Sequence, residues 1–150
     1  MKKTEKGSTI NIVKVKMVKE SSMAYNTPVA NPEDAANLVR EYLDGADREN
    51  FVAICLDRKG KPNAIHTVSI GSLHSSVVHP REVFKAAILS NSASIIVAHN
   101  HPSGDVTPSH DDITVTNRLK EAGKILGIEV LDHVVVGDDS FYSMQGNGLM

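Results

Sequence analysis

Two histidines one residue apart, His99 and His101, are followed by a short loop and then by Asp112. The full stretch reads His99-Asn100-His101-Pro102-Ser103-Gly104-Asp105-Val106-Thr107-Pro108-Ser109-His110-Asp111-Asp112. Side chains alternate along a strand, so His99 and His101 at a strand end project to the same side. The Pro/Ser/Gly loop turns the chain back, and Asp112 falls in the first turn of the next helix, within reach of the same point. Two imidazoles and one carboxylate are three protein ligands, the number that leaves a catalytic zinc one position for water. Zinc lowers the pKa of that water from 15.7 to about 7, making hydroxide available at neutral pH. A simpler reading also covers the residues. Asp112 lies three positions after Ser109, the spacing of a helix capping box, and a His-x-His pair can consist of one buried and one exposed histidine without metal.

The elements around this stretch follow from periodicity. Residues 10–18 (INIVKVKMV) alternate apolar and polar with one slip, which predicts a strand with a bulge. Asn31-Pro32-Glu33-Asp34 starts a helix whose apolar face is Ala35, Leu38, Val39, Tyr42 and Leu43, ended by Gly45. Residues 51–56 are nearly all apolar, a strand buried on both faces, and a turn at 57–60 leads into a second strand over 63–70. Pro80 opens a helix with Val83, Phe84, Ala87 and Ile88 inward. Residues 94–98 form a buried strand running into His99. The longest helix spans 109–126 with Ile113, Leu119, Ala122 and Ile125 or Leu126 inward, and strands near 128–136 and 140–144 complete the chain. The prediction is an α/β (α+β) sandwich with a mixed β-sheet flanked by helices, divided into a basic strand and linker (1–29) and one domain (30–150).

With these elements in place, the motif shows a resemblance. His99-x-His101, seven residues, Ser109, two residues, Asp112 is similar to the JAMM motif of the MPN/JAB metallopeptidases, and HNHPSG followed by Pro-Ser and an aspartate more closely resembles the RadC family. His79-Pro80-Arg81-Glu82-Val83-Phe84 before the motif, and Leu131-Asp132-His133 with Gly137 after it, extend the likeness over about residues 30–146. The resemblance implies a cytidine-deaminase-like sandwich, Zn2+ held by His99, His101 and Asp112, and a protein or peptide substrate. It also implies a water-activating glutamate after the first helix. The matching position is Glu49, which on its own reads as an exposed loop acid. Glu82 is the alternative, although its place at the start of the Pro80 helix also suits an acid beside the helix dipole. Ser109 matches the family's oxyanion-binding serine. Asp132 and His133 begin a strand near the site, where the choice is between orienting a ligand imidazole and sitting in the core as a satisfied pair. His66, His74, His79 and His110 read as surface or packing residues, and Cys55 as a small buried apolar residue. Longer RadC proteins carry an N-terminal helix-hairpin-helix region. No such pair of helices is read here, so a short form without that DNA-contacting element is expected.

Composition narrows the alternatives. The 150 residues carry a net charge of −2, but the first twenty hold six lysines against two glutamates, a balance of +4, and the remainder −6. An acidic body with 4% aromatics and no Trp lacks the basic face and stacking platforms of a nucleic-acid binder. No apolar run approaches the ~20 residues of a membrane span. A single cysteine and the lack of a signal-peptide pattern point to the cytoplasm. The function expected is a zinc-dependent metallohydrolase cleaving a peptide or isopeptide bond. The alternative is a non-catalytic DNA-repair accessory or protein-interaction module with a structural zinc site.

Overall fold

The structure is a computed structural model describing residues 7–71 and 78–150; His74 lies outside the described residues. The elements are α1 (Pro32–Tyr42), β1 (Asn50–Leu56), β2 (Pro62–Ile70), α2 (Pro80–Leu89), β3 (Ser94–Asn100), α3 (His110–Leu126), β4 (Glu129–Val136) and β5 (Phe141–Ser143). One five-stranded sheet has the order β2-β1-β3-β4-β5. It is mixed: β3 and β4 run parallel, and the other neighbours run antiparallel.

Strand alternation divides the core into two layers. Val52, Ile54, Leu56, Ile96, Ala98, Val134 and Val136 face α1, which contributes Ala35, Ala36, Leu38 and Val39. Phe51, Ala53, Cys55, Ile95, Val97 and Val130 face α2 and α3. Both faces of β1 are therefore covered and all seven of its residues are buried, as its continuous apolar run requires. Asn31 caps α1 through its Oδ1, which accepts from the Asp34 N–H at 2.9 Å, and Pro32 stands in the first turn. Among the described residues, no helix is long and apolar enough to cross a membrane.

The β3–α3–β4 crossover places the site. Parallel strands need such a connection, and here the chain leaves the C-terminal end of β3, loops back and enters α3 over that same end. The inward stripe of α3 is Asp112, Val115, Thr116, Leu119 and Gly123, positions one turn apart on one face. This differs from expectation: Ile125 is 87% exposed and Leu126 also faces solvent, because the stripe set by Asp112 at the first turn rotates both outward. Ile88 of α2 is likewise exposed while Ala86 is buried.

The predicted strand at 10–18 does not form in the described chain. These residues run without secondary structure and exposed. The alternation is genuine, but a strand needs a neighbour to take its backbone hydrogen bonds, and among the described residues the segment pairs with no strand.

Where α3 meets the sheet, packing leaves no room for a side chain. A Cβ on Gly123 would lie 2.4 Å from the Ile128 carbonyl oxygen and 3.4 Å from the Phe84 ring, and that carbonyl belongs to backbone that cannot swing aside. Gly123→Ala is therefore expected to destabilise the fold by about 1–3 kcal/mol through overpacking. Chemical denaturation measures this, with Lys124→Ala on the exposed face of the same helix as a near-neutral control.

Candidate metal centre

His99 is the penultimate residue of β3 and is fully buried; His101 follows the strand end and is largely covered. The ring of Phe51, directly across the β1–β3 ladder, stacks on His99 at 6.1 Å and 11° and meets His133 edge-on at 5.4 Å. Asn100, between the two histidines, points away from them. Its Oδ1 accepts from the Asn50 N–H at 2.7 Å and its Nδ2 donates to the Arg48 carbonyl at 2.9 Å. It thus ties the loop carrying Glu49 to the end of β3.

The hydrogen bonds decide which histidine nitrogens carry protons. Thr116 Oγ1 lies 2.7 Å from the Asp112 carbonyl. A carbonyl only accepts, so the threonine proton is spent there. The hydroxyl oxygen must then accept from His133 Nδ1, 2.6 Å away. His133 is completely buried, and desolvation, helped by the nearby His99, pushes its pKa well below the ordinary value against the pull of Asp112. It is therefore neutral, and its Nε2 accepts from His99 Nδ1 at 2.7 Å. That leaves His99 Nε2 with a bare lone pair. His101 Nδ1 faces the Asp105 carbonyl at 2.5 Å, so Nδ1 carries a proton, and the neutral form of the ring offers its Nε2 lone pair.

These two lone pairs are 2.9 Å apart. Asp112 Oδ2 lies 3.4 Å from His99 Nε2 and 3.9 Å from His101 Nε2. Burial would raise the Asp112 pKa, but its interaction with the adjoining His99 ring and the bond from the Ser109 N–H outweigh it, so the carboxyl is held far below its usual range as an anion. Three acceptors converge with no proton of their own to share, an arrangement that calls for a cation. Ligand bonds of about 2.0–2.1 Å in a tetrahedral site separate donor atoms by about 3.3 Å, close to the spacings found. Imidazole and carboxylate donors of this kind suit first-row transition metals, zinc among them. The residues fit a metal ion.

The capping box is present as well. Ser109 Oγ accepts from the Asp112 N–H at 3.1 Å, and Asp112 Oδ2 accepts from the Ser109 N–H at 2.8 Å. The two readings of Asp112 are therefore compatible, since one carboxylate oxygen serves the helix end and faces the imidazoles together. Ser109 is exposed, and its hydroxyl proton remains available for a further bond.

The remaining candidates are placed as follows. Glu49 is half-buried just before β1, outside the trio of ligand atoms. The β1–β3 register pairs Phe51 with His99, and Glu49 precedes β1 at the strand end that lies beside His99. Glu82 is on the exposed side of α2, paired with Lys85 at 3.0 Å. Asp132 is buried but directs its carboxylate to the His133 and Gln145 N–H groups and the Ser143 hydroxyl; it fastens β5 to β4 and spends none of those bonds on a ligand imidazole. His133 orients His99 directly. His66 and His110 are exposed and His79 is the cap residue of α2. Cys55 is buried, which pushes its thiol pKa up. Thr116, Asn100 and the Asp105 carbonyl carry the geometry without any spacing signal of their own.

Beside His101 opens a groove of about 260 Å³ lined by Val39, Arg40, Leu43, Asp44, Asn100 and Asp138, among others.

Comparison with known proteins agrees with this architecture. Residues 29–149 match the RadC-like JAB domain. A UPF0758 protein of Desulforamulus reducens is 56% identical over 119 residues, covering 79% of this chain and 52% of that protein. One from Caldanaerobacter subterraneus is 53% identical over 128 residues (85% and 55%), and one from Shouchella clausii 55% over 120 residues (80% and 52%). The chain thus spans about half the length of the curated relatives it matches.

The relay from Thr116 through His133 to His99 is expected to hold zinc affinity up. Thr116→Val keeps shape but removes the acceptor that fixes the His133 ring. Competition against a chromophoric chelator should show zinc held about 10–100-fold more weakly, with His110→Ala unchanged.

Proposed function

The chain belongs to the family of RadC-like JAB domains, and from that premise we propose that it is a zinc-dependent hydrolase cleaving a peptide or isopeptide bond in a protein or peptide. The observation that carries this reading is the convergence of two bare imidazole nitrogens and an ionised carboxylate at a strand end, a donor set that supplies three ligands and leaves a position for water. When bound, zinc would lower the pKa of that water to about 7 and polarise a substrate carbonyl.

The protein's own groups supply the rest. Glu49, just before β1 at the strand end beside His99, is the base that accepts the proton of the attacking water and hands it to the leaving amine. Amine expulsion without that proton is slow, because an amide nitrogen leaves as an anion otherwise. Asn100 steadies this glutamate through the Arg48 carbonyl and the Asn50 N–H. Ser109 accepts from Asp112 with its oxygen and has its hydroxyl proton free to meet the developing oxyanion. Phe51 packs over His99 and keeps bulk water from the buried side of the ligand set.

The test begins with metal content. Wild-type protein and Glu49→Gln should both take up about one zinc per chain on reconstitution, and His101→Ala should not. Against a peptide library with product detection by mass spectrometry, Glu49→Gln should lose about 10²–10⁴-fold in turnover. Failure of the wild type to take up zinc would overturn the reading. Undiminished turnover in Glu49→Gln would remove that residue from it, and biological activity retained by a zinc-loaded but inert Glu49→Gln would favour the interaction-module alternative.

A further inference from the structure

Segment 10–18 has the composition of a strand without a strand's partner. Ile10, Ile12, Val13, Val15 and Val18 are between 73% and 101% exposed. Contiguous β-branched residues left in water mark a surface meant for contact. The sheet itself has an open side. All of β1 is buried, but β2 keeps only partial cover: Ala64 and Val68 rest half-exposed against the α2-side core, and Ile65 half-exposed against the α1-side core. Strand β2 pairs with β1 alone, so its outer row of N–H and C=O groups faces no other strand among the described residues. The opposite edge, β5, is only three residues long.

We infer that segment 10–18 is a strand donated to the β2 edge of a second copy of this chain, each copy giving one strand and receiving one. Segment and edge match in length, nine residues each. The central part of the edge, residues 64–67, pairs with β1 without a register break, leaving a regular template. No lysine stands on it to deter pairing, and Pro62, the one proline of the strand, lies at its first residue, outside that template. The segment also starts from the right place. Val29 donates its N–H to the Gly60 carbonyl in the β1–β2 turn at 2.9 Å, and Met23 and Tyr25 pack against the same α1-side core as Ile65 of β2. Reciprocal exchange about a two-fold axis satisfies both segments and both edges together and closes the assembly. The added strand would lay Val13, Val15 and Met17 along one side of the sheet, extending whichever core layer they meet beyond β2.

Light scattering on the full chain, together with disulfide trapping, tests this. Twice the chain mass is expected, falling to the single-chain mass in Val15→Pro with the circular dichroism of a folded domain retained, because Val15 is 73% exposed in the isolated chain and loss of the partner lowers only the share of stability that association supplies. Mixing Val15→Cys with His66→Cys under oxidation should link the two variants; the native Cys55 is buried and does not compete. A single-chain mass at every concentration, a dimer indifferent to Val15→Pro, or a disulfide that forms only within one chain carrying both cysteines would each overturn the inference, the last by showing the segment docked on its own β2.

Discussion

The bond between His99 Nδ1 and His133 Nε2, buried between two parallel strands, constrains most of what surrounds it. Neither ring meets water, so each polar nitrogen must find a partner or cost about 1–3 kcal/mol. The partners come from three separate elements: Thr116 from α3, His133 from β4 and His99 from β3. Satisfying the chain requires β3 beside β4, α3 laid over their ends, and Phe51 from β1 closing the side. The polarity of the bonds runs one way, from the bare nitrogen of His99 back to a helix carbonyl. A buried network of this kind is stable only when complete, and the one bare nitrogen it leaves is the one aimed at the metal position. The same bonds that close the core therefore set the tautomer of the ligand.

Asp112 links that network to the helix. Its carboxylate accepts from the Ser109 N–H at the N-terminus of α3, where the helix dipole favours a negative charge. This keeps the carboxyl ionised despite its burial, and it removes the rotamer freedom a ligand would otherwise lose on binding. Thr116 takes its acceptor from the Asp112 carbonyl, so the backbone and side chain of one residue serve two of the three ligands. A shift of the first turn of α3 would disturb both together.

The sequence exposes those parts whose signals are local. His-x-His at a strand end, the proline-glycine loop and the Ser109/Asp112 spacing are legible because each depends on residues a few positions apart. The strands of the core follow equally from apolar runs, and the hairpin from its turn. Thr116 is invisible by the same standard: a threonine in mid-helix reads as neutral until α3 is laid against β4 and its hydroxyl meets His133 across 17 positions. Asn100 was hidden by its neighbours, since alternation sends it to the face away from the histidines. Ile125 and Leu126 misled because the apolar content of a helix's last turn does not fix its rotation; the buried Asp112 at the other end does. Residues 10–18 mark a further limit, because alternation reports a preference for pairing and not the presence of a partner in the same chain.

Electrostatics bears on which bond such a centre would suit. A phosphodiester brings its own negative charge to the site and needs cations to meet it. Outside its first twenty residues the chain carries −6, and the groove next to His101 presents Asp44 and Asp138. Arg40, the cation in that groove, already gives Nε to the Gly137 carbonyl, Nη2 to the Ser140 carbonyl and Nη1 to Asn37, which locks α1 to the β4–β5 turn and leaves its fork committed to structure. On the proposed reading, a neutral amide would enter such a groove without that repulsion and acquire charge only as the water added. Stabilisation of charge that appears late, by a cation and a hydroxyl set in place beforehand, is where a preorganised site gains most.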